Sequence, residues 1–474
     1  MVSHYRSWEL PTAMIHRFFT YSPRQHHFEY KWYNFELLRL LGSAPYGGCD
    51  AAEFLETLAH LRPNDAASWM REWFRLAART EALAQDAADA GHESTALGAY
   101  LRAANYFRCA QYMFPAVPPR DQPYMLSLYE RSVANFERAV DLFPHEVRRV
   151  HIPFSPDGDD DAGEPLSLPG WLHLPSTRLP DRKTPTLICI GGADSTQEEL
   201  YFLSVAEGPR LGYAVLTFDG PGQGVVLRRD GVPLRPDGEV VVGAVLDFLE
   251  SYLRQQPETN LDPAAFAVTG QSLGAYLALR GAADPRVKAC VAVDPIYDMW
   301  DLAMSRMPGW IVQLWQSGHI GDAQIDWVAT THSKYDIASK YMFAQAQGMF
   351  GCSTPSDTLR AMKPYTFRLN DTEDGSAGEG GDYLERIKCP VLVTGAAADP
   401  SMFMAELTTD KVMAGLTNVP EGDKELWMPK TYSDGGAQAK SGAWQVLQYR
   451  TFKFLDEKFG ITRTPHENGS IVAL

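Results

Sequence analysis

The sequence predicts an α/β fold, a mostly parallel sheet with helices on both faces, and three observations predict it. Short β-branched runs alternate with helical stretches from residue 147 onward. One such run leads into Gly270-Gln271-Ser272-Leu273-Gly274, with a helical pattern directly after it. The 474-residue length leaves room for a helical region before the sheet and an insertion within it.

Residues 1–145 read as almost wholly helical and form the first expected domain. Between 66 and 90, Trp69, Trp73, Leu76 and Leu83 recur at spacings of three and four or their sums, the period of one helix face. Further helices are expected over 95–113 and 124–142, separated by the Pro-rich stretch 114–119. The Ala-rich pair resembles a helical-repeat hairpin but has no second copy at fixed period, so a cap is expected rather than a solenoid. The first part of the sheet core spans 146–293. It opens with an antiparallel pair, 147–154 and 166–174, across the acidic loop 157–164. Strands follow at 186–190, 214–218, 266–269 and 289–293. The strand signal then stops. Residues 294–387, rich in Trp, Met and Tyr (Trp300, Trp310, Trp315, Trp327, Met342, Tyr365), read as an inserted lid in which 371–382 form an acidic, Gly-rich mobile loop. The core resumes over 388–460 with a strand at 391–394, and 461–474 is a tail.

Composition narrows the function classes. A net charge of -16 argues against nucleic acid and anionic membrane surfaces as partners. The start of the chain lacks the apolar core of a signal peptide, and no run of about 18 apolar residues predicts a membrane span, so a cytoplasmic protein is expected. The six cysteines are scattered without metal spacing, which fits free thiols in a reducing compartment. Cys189 and Cys290 lie in apolar runs and are expected to be packing residues. No cofactor or metal signature is present.

Gly-x-Ser-x-Gly between a strand and a helix reads as the nucleophile elbow of an α/β-hydrolase fold, with Ser272 at the sharp turn and Gly270 and Gly274 giving clearance. The Leu273 N–H then faces a developing oxyanion at a helix N-terminus. Gly191-Gly192-Ala193-Asp194 follows the 186–190 strand, making Gly192 or Ala193 the second candidate oxyanion donor and Asp194 a neighbour of the substrate. Asp219, in Asp219-Gly220-Pro221-Gly222-Gln223-Gly224, is a candidate for the pocket lining. For the triad acid, chain order favours Asp399, beyond the 391–394 strand, over Asp294. Trp310 is the candidate lid contact for a large, mostly apolar substrate.

The histidine that should take the serine proton is missing, for none occurs between His332 and His466. The chain resembles fungal α/β-hydrolases of secondary metabolism, the polyketide-shortening "yellowish-green" pigment and cytochalasan-cluster type, and more distantly 2,6-dihydropseudooxynicotine hydrolase. The resemblance rests on residues 34–42, 45–48, 68–73, 103–108, 191–199, 218–224 and the elbow. It implies an N-terminal helical region packed on the core, a pocket for polyketide-like substrates, Ser–Asp–His cleavage of C–C bonds or esters, and a homodimer through the N-terminal helices. Such relatives carry a histidine after the last strand. Here Asp434-Gly435-Gly436-Ala437-Gln438-Ala439-Lys440-Ser441-Gly442-Ala443 places either Gln438 or Lys440 at that position. Glutamine cannot be a general base, whereas a desolvated lysine can. His319 and His332 of the lid, and His26 and His27, are the remaining histidines considered. Three readings stay open: a non-hydrolytic enzyme that polarises a carbonyl, a serine hydrolase with an unusual base, and a silent binding protein.

Overall fold

The computed structural model describes residues 31–62, 65–112, 123–155, 166–177, 179, 181–369, 381–399 and 404–463. His26, His27, the 114–119 stretch, most of the 371–382 loop and residues 464–474 lie outside them. The N-terminal region is helical: α1 (Lys31–Gly42), α2 (Ala51–His60), α3 (Ala66–Asp89), α4 (Glu93–Tyr112) and α5 (Pro123–Val140). Asp50 and Asp65 cap α2 and α3 by accepting N–H bonds of the first turn. Tyr33, Leu37 and Leu40 of α1 join Trp69 and Trp73 of α3 in a core of their own. The Trp69 indole N–H donates to Cys109 O at 2.8 Å, so burying this large ring leaves no unmade hydrogen bond.

The sheet has eight strands in the order β1-β2-β4-β3-β5-β6-β7-β8. These are β1 (Val147–Phe154), β2 (Leu166–His173), β3 (Thr184–Ile190), β4 (Ala214–Phe218), β5 (Leu261–Gln271), β6 (Val287–Val293), β7 (Val391–Thr394) and β8 (Lys424–Trp427). The β1–β2 and β2–β4 pairings are antiparallel and those from β4 through β8 are parallel. Helices α6 (Gly224–Arg228), α7 (Gly238–Gln255) and α8 (Leu273–Gly281) follow β4 and β5, and α14 (Thr409–Gly415) and α15 (Trp444–Lys458) flank β8. Strand alternation sorts the core onto two faces. In β3, Ile188 and Ile190 belong to the same buried cluster as Val241, Val245 and Leu249 of α7. Leu187 and Cys189 belong to the other cluster, with Leu447, Phe452 and Leu455 of α15. Every β3 residue is buried, as expected of a parallel strand covered on both sides. Cys189 and Cys290 are buried packing residues in these strands.

Between β6 and β7 the chain forms α9 (Met299–Met304), α10 (Gly309–Gln316), α11 (Asp322–Ser333), α12 (Ile337–Phe350) and α13 (Pro355–Ala361). Their small separate core of Met304, Trp315, Ile325 and Leu359 explains the aromatic composition of this stretch. Among the described residues, no helix is long and apolar enough to cross a membrane.

Candidate active site

Ser272 sits between β5 and α8 with φ 56° and ψ -115°, a left-handed conformation that costs a non-glycine residue roughly 1–3 kcal/mol. Its N–H donates to Val293 O at 2.8 Å, tying the turn to the end of β6. The two flanking glycines are required by space. A Cβ on Gly270 would lie 2.1 Å from Gly274 O, and one on Gly274 would lie 2.4 Å from Ile190 O. The motif therefore closes a turn through which no larger side chain fits. Leu273 opens α8, so its N–H belongs to the unpaired donors at the positive end of the helix dipole.

Ser272 lines a cavity of about 180 Å³ together with Gly192, Ala193 and Asp194. The Gln223 amide donates to Gly191 O at 2.5 Å and the Gln345 amide to Ala193 O at 3.0 Å, so the glycine turn is held from two sides. Asp194 Oδ2 accepts from Arg39 Nη1 at 3.1 Å and from the Tyr341 hydroxyl at 3.3 Å. Burial raises the Asp194 carboxyl most strongly of any single cause, but the charges of Arg39 and Arg108 and the hydrogen bonds from Tyr112 and Arg39 together outweigh it and hold the group below the usual carboxylate range. Arg39 also pairs with Glu199 and Glu36, and Arg108 bonds Glu36 Oε1 at 2.7 Å. The N-terminal region thus contributes directly to the cavity wall. Residues 34–42 carried the only sequence signal for this: charged Glu36 and Arg39 sit within an apolar helical run.

The turn after β8 gives Gln438 and Lys440 different partners. Ala439 has φ 51° and Lys440 φ 54°, so their side chains leave the turn in unusual directions. Gln438 Nε2 lies 3.4 Å from Ser272 Oγ, where a triad histidine would act. Lys440 points away from the serine and is fully buried, its ammonium donating to Asp294 Oδ1 at 2.7 Å and Gly395 O at 2.8 Å. Burial pushes its pKa below the ordinary lysine value, with Asp294 opposing the shift. Lys440 backs the site and does not touch Ser272.

The acid that bonds this turn is Asp294, the alternative to Asp399 in the sequence. Asp294 Oδ2 accepts the Ala439 N–H at 2.7 Å, and Oδ1 also accepts the Thr394 hydroxyl at 2.8 Å. The sheet explains the choice. Gln271 is in register with Val293 on the adjacent strand, so Ser272 and Asp294 leave neighbouring strand ends. Asp399 lies in the loop beyond β7, where its N–H bonds Ala396 O at 3.2 Å.

Two further sequence candidates are placed elsewhere. Trp310 is 65% exposed on α10 and lies outside the cavity lining; the lid face towards Ser272 is α12, through Tyr341, Met342, Gln345 and Met349. Asp219 is buried and also outside that lining, accepting the N–H groups of Gln197 at 2.9 Å and Val225 at 3.0 Å. It holds the two strand-end loops together. His319 is exposed and bonded to Ser317 Oγ at 2.8 Å, and His332 is exposed as well; neither lines the cavity.

Asp219 has a buried acidic neighbour, Glu198. Burial raises the Glu198 carboxyl and the Asp219 charge raises it further. Because the unfolded side chain releases its proton near pH 4.3, this group's stabilising contribution is full only below about that value. It is lost as pH rises towards the higher folded pKa. Glu198→Gln should therefore flatten this part of the pH dependence, read as a smaller difference between urea midpoints at about pH 5 and about pH 8.

Comparison with known proteins agrees with this architecture. Residues 187–429 match the alpha/beta hydrolase family. The chain is 61% identical over 453 residues to alpha/beta hydrolase ucsC of an Acremonium species, covering 95% of this chain and 92% of the relative. It is 41% identical over 475 residues to hydrolase pyiE of Pyricularia grisea, covering 95% and 98%. Among solved structures, 2,6-dihydroxy-pseudo-oxynicotine hydrolase is similar in fold, with TM-score 0.61 at 20% identity over 90% of this chain and 98% of that one. The fold, the elbow and these relatives show that the chain belongs to the alpha/beta hydrolase family.

Proposed function

We propose that this protein is a hydrolase-fold enzyme of fungal secondary metabolism that acts on a carbonyl of a large, mostly apolar, polyketide-like substrate without using Ser272 as an acyl-transfer nucleophile. The observation that carries this reading is Gln438 against Ser272 Oγ at 3.4 Å. A carboxamide has no proton-accepting nitrogen. Its N–H occupies a lone pair of Oγ and leaves the serine proton free to be donated into the cavity. Ser272, the Leu273 N–H and an N–H of Gly192 or Ala193 then form a neutral donor set for a carbonyl oxygen, in a wall that sets the apolar Phe35, Leu203, Met349 and Trp444 beside the paired Arg39 and Asp194. Such a set stabilises developing negative charge on oxygen, which serves cyclisation, isomerisation, C–C bond cleavage or epoxide opening. Lys440 as base is disfavoured, since Asp294 and Gly395 O hold its ammonium behind the turn.

The test is direct. Wild type should hydrolyse para-nitrophenyl octanoate no faster than Ser272→Ala and release no burst of nitrophenol. In a working triad, loss of the nucleophile costs about 10⁶-fold in turnover. A wild-type burst abolished by Ser272→Ala would sink the reading and restore a serine hydrolase.

A further inference from the structure

The motif Asp219-Gly220-Pro221-Gly222-Gln223-Gly224 lies outside the lining of the Ser272 cavity, yet one of its side chains reaches the turn that does line it. Gln223 is buried and stands directly before α6, where it makes no side-chain cap bond to the helix. Its side chain turns the other way. Oε1 accepts the Gly220 N–H at 3.2 Å, and a backbone N–H can only donate, so the amide orientation is fixed. Nε2, with its two hydrogens, then faces two successive carbonyls, Gly191 O at 2.5 Å and Gly192 O at 3.4 Å. The glycines of the motif make room for this path. Gly222 and Gly224 have φ of 76° and 41°, and a Cβ on Gly224 would lie 2.0 Å from Asp219 Oδ2.

Each of these carbonyls shares a peptide unit with one of the two candidate oxyanion donors. In a trans peptide the C=O and the following N–H point in opposite directions, and no cis bond occurs among the described residues. Holding Gly191 O and Gly192 O on one side therefore turns the N–H groups of Gly192 and Ala193 to the other, away from Gln223 and its loop. Neither N–H has an acceptor among the described residues. Both residues line the cavity together with Ser272, and a Cβ on Gly192 would lie 3.2 Å from Gln271 O, next to the elbow. Successive N–H groups that face one way form a concavity for a negatively charged oxygen. The carbonyls behind them repel one another unless a donor bridges them, and the Gln223 amide is that donor. The lid amide of Gln345 differs, since Ala193 O belongs to the peptide unit of the Asp194 N–H.

We infer that Gln223 is a positioning residue of the Ser272 site: its amide turns the N–H groups of Gly192 and Ala193 together into the cavity, so that both act, with the Leu273 N–H, on one substrate oxygen. The inference rests on the carbonyl reading of the Ser272–Gln438 pair. It gives the glycine-rich motif after β4 a part in the reaction without contact to the substrate.

Two carbonyl compounds test this with the full-length protein: methyl nonyl ketone and benzylacetone, each isotopically labelled at the carbonyl carbon. Labelled-minus-unlabelled infrared difference spectra isolate the stretching band of the bound carbonyl, whose frequency falls as hydrogen bonds to its oxygen strengthen. Wild type should hold the band below its position in hexane, and Ser272→Ala should raise it part of the way back. Gln223→Met, which keeps the bulk and removes both N–H bonds, should also raise the band and weaken binding about two- to tenfold. Leu249→Ala, a truncation in the core of α7, lowers stability and should leave the band at its wild-type position. A band unmoved in Gln223→Met while Ser272→Ala raises it overturns the positioning role and leaves the carbonyl reading standing. A shift in Leu249→Ala as large as that in Gln223→Met also overturns it, for the band would then report general loosening. A wild-type band at the hexane position, or no binding of either ketone, removes the carbonyl reading and the inference built on it. Should Gln223→Met fail to fold, Gln223→Glu carries the test. Its protonated carboxyl, favoured by burial, can still accept from Gly220 and donate to Gly191 O. The ketone band should then rise as that carboxyl ionises with increasing pH, and a band indifferent to the ionisation, seen in the carboxyl's own infrared absorption, overturns the inference.

Discussion

Gln438→His is expected to convert a protein that fluorophosphonates leave unlabelled into one they label at Ser272, with a rate gain of about 10²–10⁴, the range a positioned general base supplies. The other parts of the machine are present. Ser272 keeps its left-handed turn, and Gln438 already comes within 3.4 Å of its oxygen. Asp294 lies one residue away from the new imidazole, accepting the Ala439 N–H at 2.7 Å. That carboxylate is also committed to Lys440 and Thr394, so it is poorly free to orient a ring nitrogen. The gain should therefore fall towards the lower end of the range. Labelling should rise with pH through the ordinary histidine value of about 6.5, a dependence absent in wild type. Mass spectrometry of the probe adduct and the rate of labelling check both points. A variant no faster than wild type would mean that the elbow lacks more than its base.

Much of the fold was legible because the relevant signals are local. The β-branched run 147–154 is a strand with the bounds expected from its pattern, and the apolar period of Trp69, Trp73 and Leu76 lies on α3. β8 was not legible: it has four residues, Lys424–Trp427, of which only Trp427 is buried, so neither alternation nor an apolar run marks it. The serine elbow could be read because its constraints act within five residues. The contact of Asp294 with the Gln438–Lys440 turn could not be read in the same way, since chain order points to Asp399 while only the adjacency of β5 and β6 brings Asp294 there. The outward facing of Trp310 was hidden from the sequence for a related reason. A Trp-rich segment announces an apolar cover but not which face of each helix is inward, and here Trp315 is buried while Trp310 is exposed. Arg39 escaped notice because its partners Asp194 and Glu199 lie more than 150 residues away.

The other large effect is expected at Lys440. Its ammonium and the Asp294 carboxylate are both fully buried and 2.7 Å apart. Lys440→Met leaves Asp294 without its counter-charge and should cost about 3–5 kcal/mol of stability, measured by urea denaturation. Joining it to Asp294→Asn should recover most of that loss, because the amide can still accept the Ala439 N–H and no buried charge remains. The comparison also separates two roles for the pair. Ala439 and Lys440 hold left-handed backbone angles that cost roughly 1–3 kcal/mol each, and their contacts to Asp294 keep the turn in that state. Gln438 begins the same turn, so the pair sets where its amide meets Ser272. The double variant should accordingly regain stability but bind the carbonyl compounds more weakly than wild type. Full recovery of both would reduce the Lys440–Asp294 pair to a purely structural feature and leave the position of Gln438 to be fixed by the rest of its turn.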